Sequence, residues 1–110
     1  MEVDLNDVRV DPSVEERHLC NLSFEELQKL SLTPEVLLLL GDCYLYGIGV
    51  KQDEKRGWNM IIESAKKGHA VALALCFEFG KETNKNEEKS FQLFFEAAER
   101  NHPIGIYFHF

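Results

Sequence analysis

Residues 64–67 read Ser-Ala-Lys-Lys. This puts the Ser64 hydroxyl and the Lys67 amine at the S-x-x-K spacing in which a serine can be activated as a nucleophile. The companion S-D-N and K-T-G sequences of such hydrolases do not occur in the chain, and Ser64 falls inside a stretch with helical periodicity, so chance explains the match better than chemistry does. His69 and His102 stand one repeat apart, which suits residues at helix ends better than two ligands of one metal. Cys20, Cys43 and Cys76 form no C-x-x-C pair and have no histidine at ligand spacing. Gly47-Ile48-Gly49-Val50 lacks the third glycine of a dinucleotide fingerprint and follows a helical pattern instead of a strand. No acid, base, nucleophile and ligand set converges, and the expectation is a chain that is not an enzyme and takes no cofactor or metal.

The elements that carry these residues belong to a chain of 110 residues, 45% hydrophobic and 28% charged, which suffices for one modest core. No run of 18 apolar residues occurs, and residues 1–11 are acidic where a secretory leader would be basic and then apolar. Asn21-Leu22-Ser23 is formally a glycosylation sequon, but without a leader it carries no weight. The net charge of −7 is concentrated in residues 1–35, which carry −6 of it. Nucleic acid needs a basic stripe and is excluded as a partner, and no membrane association is expected. An odd number of unpaired cysteines fits a reduced, cytoplasmic protein.

Shifted by 33 residues, positions 41–77 align with 74–110 without a gap. Seven pairs are identical, among them Cys43/Cys76, Gly47/Gly80, Glu54/Glu87 and His69/His102, and Tyr44/Phe77, Tyr46/Phe79 and Trp58/Phe91 are conservative. Thr33-Pro34 caps and opens an A-type helix over about 34–46 that Gly47 stops. Asp53 caps a B-type helix that ends near Lys67 with Gly68 as its stop. The copy gives an A-type helix over roughly 70–79 stopped at Gly80, then a B-type helix from Asn86 to near Arg100. Pro103 opens a third A-type helix. Trp58, Ile61, Ile62 and Ala65 fall at i, i+3, i+4 and i+7, as do Phe91, Phe94, Phe95 and Ala98, so each B-type helix is expected to bury that stripe. Upstream, Ser23-Phe24-Glu25-Glu26 reads as a capping box opening a short helix through Leu30, while residues 1–17 show no period. The organisation expected is an acidic segment with a capping helix over 1–32, then two repeats and the start of a third helix over 33–110.

Leu40 to Ala72 resembles the Sel1-like repeat family, whose unit reads approximately L-G-x-x-Y-x-x-G-x-G-V followed by an aromatic and A-A-x-x-G. The features are Leu40, Gly41, Tyr44, Gly47, Gly49, Val50, Asp53, Trp58, Ala65 and Gly68. The second unit keeps Gly80, Asn86, Phe91, Ala97, Ala98 and His102. It departs at Lys81-Glu82-Thr83, where the first has Ile-Gly-Val, and Gly57 and Ser90 stand where the family usually has alanine. The resemblance implies an all-α fold, a short right-handed α-solenoid of antiparallel helix pairs of the tetratricopeptide-like kind. It also implies an interaction module, an adaptor or scaffold that binds a protein or peptide. Some relatives are associated with β-lactam binding, which keeps a β-lactam-type hydrolase as the rival. Some secreted relatives pair a cysteine of helix A with one of helix B, and those partner cysteines are absent here.

In such a stack the inner A-type helices line a concave wall. The aromatic pair before each glycine is expected to pack the inner helix on its own B helix and on the next unit. Leu38, Asp42 and Leu45, with their copies Val71, Leu75 and Glu78 and then Ile104 and Phe108, form a mixed apolar and acidic strip that is the candidate partner site. Packing of several of these against the adjacent A helix is an equal alternative. Ile104, Ile106, Tyr107, Phe108 and Phe110 give the last helix an apolar face, and self-association through it is the third reading.

Overall fold

The caps and stops of the sequence fall where the helices begin and end. The computed structural model describes residues 22–99, and these form α1 (Phe24–Gln28), α2 (Pro34–Tyr46), α3 (Glu54–Lys66), α4 (Ala70–Phe79) and α5 (Glu87–Glu99), with no strand among them. The segment before residue 22 and the third A-type helix expected from Pro103 lie outside the described residues. Ser23 and Glu26 close a capping box on α1: Ser23 Oγ accepts from the Glu26 amide at 3.2 Å, and Glu26 Oε1 accepts from the Ser23 amide at 3.1 Å. Thr33 Oγ1 accepts from the Val36 amide at 3.3 Å, with Pro34 at the first helical position, where its missing N–H costs nothing.

Each helix packs on the next in sequence, α1 on α2, α2 on α3, α3 on α4 and α4 on α5. α2 and α4 are apolar nearly all round and are buried from several sides, as inner helices should be. The larger core cluster joins Leu38, Leu45, Ile61, Ala65, Val71 and Phe94 with most of α4. A smaller one seats Leu27 of α1 on Val36, Leu40 and Cys43. α1 thereby covers the first face of the stack.

The two A-to-B loops repeat the same backbone hydrogen bonds. The Cys43 carbonyl accepts from the amides of Gly47 and Ile48, and the Cys76 carbonyl from those of Gly80 and Lys81. The Asp53 amide donates to the Tyr44 carbonyl at 2.7 Å, and the Asn86 amide to the Phe77 carbonyl at 2.8 Å. Asp53 Oδ1 and Asn86 Oδ1 then cap α3 and α5 through the amides of Arg56 and Lys89. The divergent Lys81-Glu82-Thr83 follows this same course. Glu82 takes the left-handed backbone (φ 55°) that Gly49 takes in the first loop (φ 73°), at a strain of roughly 1 kcal/mol. Gly49 has a second constraint, since a Cβ there would lie 3.0 Å from Cβ of Phe24.

The buried stripe of the B-type helices differs from the sequence expectation. In α3, Ile61 and Ala65 are buried and Trp58 and Ile62 half-buried, joined by Gly57 and Ser64. In α5 Ser90, Phe94 and Ala97 are buried, while Phe91 and Phe95 stack on each other on the exposed side at 6.0 Å, and the side chain of Ala98, the last member of the expected stripe, lies outside what is described. The common seam is Gly57–Ile61–Ser64 and its copy Ser90–Phe94–Ala97. At Gly57 a small residue is required because the backbone of α2 lies against it.

At Gly57 the approach is closest: an added Cβ would lie 2.7 Å from the Gly41 carbonyl oxygen and 2.8 Å from the Leu45 amide nitrogen. Both are backbone atoms, so neither can swing aside. Gly57→Ala is therefore expected to lower stability by about 2 kcal/mol in urea denaturation, although alanine is the better helix former. An unchanged or raised midpoint would show that the helices can separate at no cost.

Candidate functional site

Ser64 is fully buried, and its Oγ donates to the Pro34 carbonyl at 2.6 Å. The hydroxyl ties α3 to the start of α2, and the copy of this position is Ala97, also fully buried. Its S-x-x-K partner Lys67 is the exposed C-cap of α3. His69 is buried at the N-cap of α4, where Nδ1 accepts from the Ala72 amide at 3.4 Å. Its role is to cap the next helix, where the sequence suggested the dipole at the end of the previous one. Cys43 and Cys76 are free and buried. Burial pushes the Cys43 thiol above its usual range, with a smaller push from Asp42, and pushes the Cys76 thiol up to about 12. Neither thiol has thiolate character. Among the described residues no three His, Cys, Asp or Glu side chains gather as a metal site would require, and no helix is long and apolar enough to cross a membrane.

The inner-helix strip is graded along its length. At its start Leu38 and Val71 are fully buried, and Leu75 and Leu45 are nearly so, all within the main core cluster. Asp42 and Glu78 are half-buried. Ile104 and Phe108 lie outside the described residues, as does the apolar face proposed for self-association. Continuing the same helical face by one residue brings Tyr46 beside Asp42 and Leu45, and Phe79 beside Leu75 and Glu78. Tyr46 and Phe79 are 55% and 53% exposed.

The sequence reading thus missed a division within each aromatic pair. Residues two apart on a helix point roughly 200° from each other, so one aromatic turns inward and the other outward. Tyr44 is buried edge-on against Phe24, with ring centroids 5.3 Å apart. Arg56 lies over its ring at 4.7 Å, and Lys89 takes the same place over Phe77 at 5.5 Å. The outward pair, Tyr46 and Phe79, flanks a cleft of about 320 Å³ lined by Leu45, Gln52, Glu54, Trp58 and Lys81 as well. Trp58 meets Phe79 at 5.2 Å, and Lys81 Nζ stands 4.9 Å from the centre of the indole. Gln52 closes the rim by donating through Nε2 to the Leu45 carbonyl at 2.9 Å. The i, i+2 aromatic spacing before glycine was the signal for this cleft, but only the helix phase says which ring turns outward to line it.

Asp42 sits one turn before the cleft. Its Oδ1 is buried with no hydrogen-bond partner, and burial raises the carboxyl from 3.8 to about 7. The copy of this position is Leu75. Because the folded chain holds this proton more tightly than the unfolded chain, the contribution of Asp42 is most favourable below about pH 4 and is lost as pH rises towards 7. Asp42→Asn should match wild type near pH 4 and exceed it at pH 8 by on the order of 2 kcal/mol in urea denaturation. A difference independent of pH would contradict this.

The Sel1 repeat model matches residues 34–69 and 70–102. No curated protein matches the chain. The matched repeats divide where His69 hands α3 over to α4, and together they span more than half of the sequence. With the paired helices, the duplicated loops and both family matches in agreement, the chain belongs to the Sel1 repeat family.

Proposed function

We propose that this chain is a non-catalytic adaptor or scaffold module of the cytoplasm that binds a protein or peptide partner on its repeat surface. Sel1 repeats are generally protein–protein interaction modules, and the observation that carries the reading here is the pair of outward aromatics, Tyr46 and Phe79, at the ends of the two inner helices. Exposed aromatics supply large contact area at low entropic cost and are enriched at the centres of interfaces. The inner strip contributes to the contact through its accessible member, Glu78, while Leu38, Leu45, Val71 and Leu75 support it from the core. Ser64 and both described thiols are committed to the interior, which favours binding over catalysis. Reduced, buried cysteines suit a reducing compartment.

A lysate pull-down with wild type beside Tyr46→Lys/Glu78→Lys, both folded by circular dichroism, tests this reading. A protein retained by wild type and lost with the double variant is the expected result. Retention of nothing beyond the resin background, or identical retention by both chains, would contradict it.

A further inference from the structure

The cleft between the two outward aromatics has a definite chemistry. Its floor is the indole of Trp58, its walls are Tyr46 and Phe79, and Glu54 supplies a carboxylate at the lining. At about 320 Å³ it lies at the small end of the range of roughly 300–1,000 Å³ for ligand pockets. That is room for one extended side chain. Lys81 already uses the aromatic floor, with its ammonium 4.9 Å from the indole centre. An ammonium over the face of tryptophan is attracted by the ring quadrupole, so the chain's own lysine marks where a cation is favoured.

Lys81 is not built into this place as the other two ring-bound cations are. Arg56 and Lys89 are equivalent residues of the repeat and lie over the inward rings Tyr44 and Phe77. Lys81 comes from the divergent second loop and replaces Ile48 of the first. Its backbone is pinned by the bond from its amide to the Cys76 carbonyl, while the side chain reaches across the cleft mouth through four rotatable carbons. Such an arm can be displaced by a better-placed cation. The charges around it favour that exchange: Glu54 lines the cleft, Glu78 approaches it along the inner strip, and the whole chain carries −7.

We propose that the notch of Tyr46, Trp58 and Phe79 is the slot for a lysine or arginine side chain of a basic partner segment, and that Lys81 occupies it in the free chain. The inference rests on the interaction reading above and names the chemistry of the partner. The slot supplies cation–π attraction and a nearby carboxylate, so a neutral side chain of the same shape gains little from it. Displaced Lys81 swings into solvent, and its competition sets the affinity below what the empty slot would give.

Trp58 is the single tryptophan of the chain, so its fluorescence reports on this cleft alone. The probe is the blocked pentapeptide acetyl-Gly-Gly-Arg-Gly-Gly-amide, titrated beside its citrulline counterpart, which is nearly isosteric and uncharged. The arginine peptide should change the emission saturably and the citrulline peptide should not. Lys81→Met should tighten arginine-peptide binding by about threefold, and Glu54→Gln should weaken it by about threefold. Both substitutions are on the surface, and circular dichroism checks that they fold. Equal binding of the two peptides, or no gain on Lys81→Met, overturns the slot. A partner that depends on Tyr46 and Glu78 yet is not displaced by the arginine peptide also overturns the slot while leaving the interaction reading intact. Failure of the interaction reading has a different signature, the absence of any such partner.

Discussion

The backbones of α2 and α3 touch at Gly41 and Gly57, and the arrangement of the exposed surface follows from that contact. A Cβ on Gly41 would come within 2.9 Å of the Gly57 carbonyl oxygen, and one on Gly57 within 2.7 Å of the Gly41 carbonyl oxygen. Two helices this close leave no side chain between them, which brings Leu45 and Tyr46 of one alongside Trp58 of the other. Glycine inside a helix costs about 1 kcal/mol relative to alanine at each site. The return is the fixed separation of Tyr46 and Trp58 and the burial of Ile61 against Gly41. The second unit has Ala74 and Ser90 at these places.

From this seam the rest of the surface is set by the loops. Because each A-type helix ends in a left-handed glycine, with its last carbonyls taken by the next amides, the final aromatic is held in one orientation instead of fraying. Two loops with the same bonds but different side chains then give the two inner helices the same ending. The difference in side chains is where the units diverge in chemistry. Ile48 is an exposed hydrophobic residue in the first loop, whereas Lys81 in the second folds back over Trp58 of the preceding helix. The backbone of the loop therefore repeats with the period of 33, while its side chains at 48 and 81 do not.

Much of the fold was legible in the sequence because it is written in local signals. Thr33-Pro34, Asp53, Gly47 and Gly80 each act within a few residues, and the bounds of α2 and α4 fall where those signals put them. The serine-to-glutamate capping box is equally local. What could not be read was helix rotation. Phe91 and Phe95 satisfy the apolar spacing together with Phe94, and hydrophobicity alone favours burying all three rings, whereas only Phe94 is buried, beside Ser90. The outcome turned on the small residues at the seam, whose value depends on a backbone distant in sequence. For the candidate strip, spacing left a partner surface and packing against the adjacent A helix as equal readings, and the depth at which Leu38, Val71 and Leu75 lie is set by the stack. The cleft was less legible still, because Tyr46, Trp58, Phe79 and Lys81 come from two repeats and meet only in the stack.

The most direct test of this account is a double-mutant cycle on Gly41→Ala and Gly57→Ala, measured by urea denaturation. Each substitution forces the same two backbones apart, so the second should cost much less once the first is made, and the double variant should lose less stability than the two single losses combined. Additive losses would mean that the two glycines relieve separate strains. Stabilisation by either alanine would mean that α2 and α3 do not touch, and the placement of Tyr46 beside Trp58 would lose its physical basis.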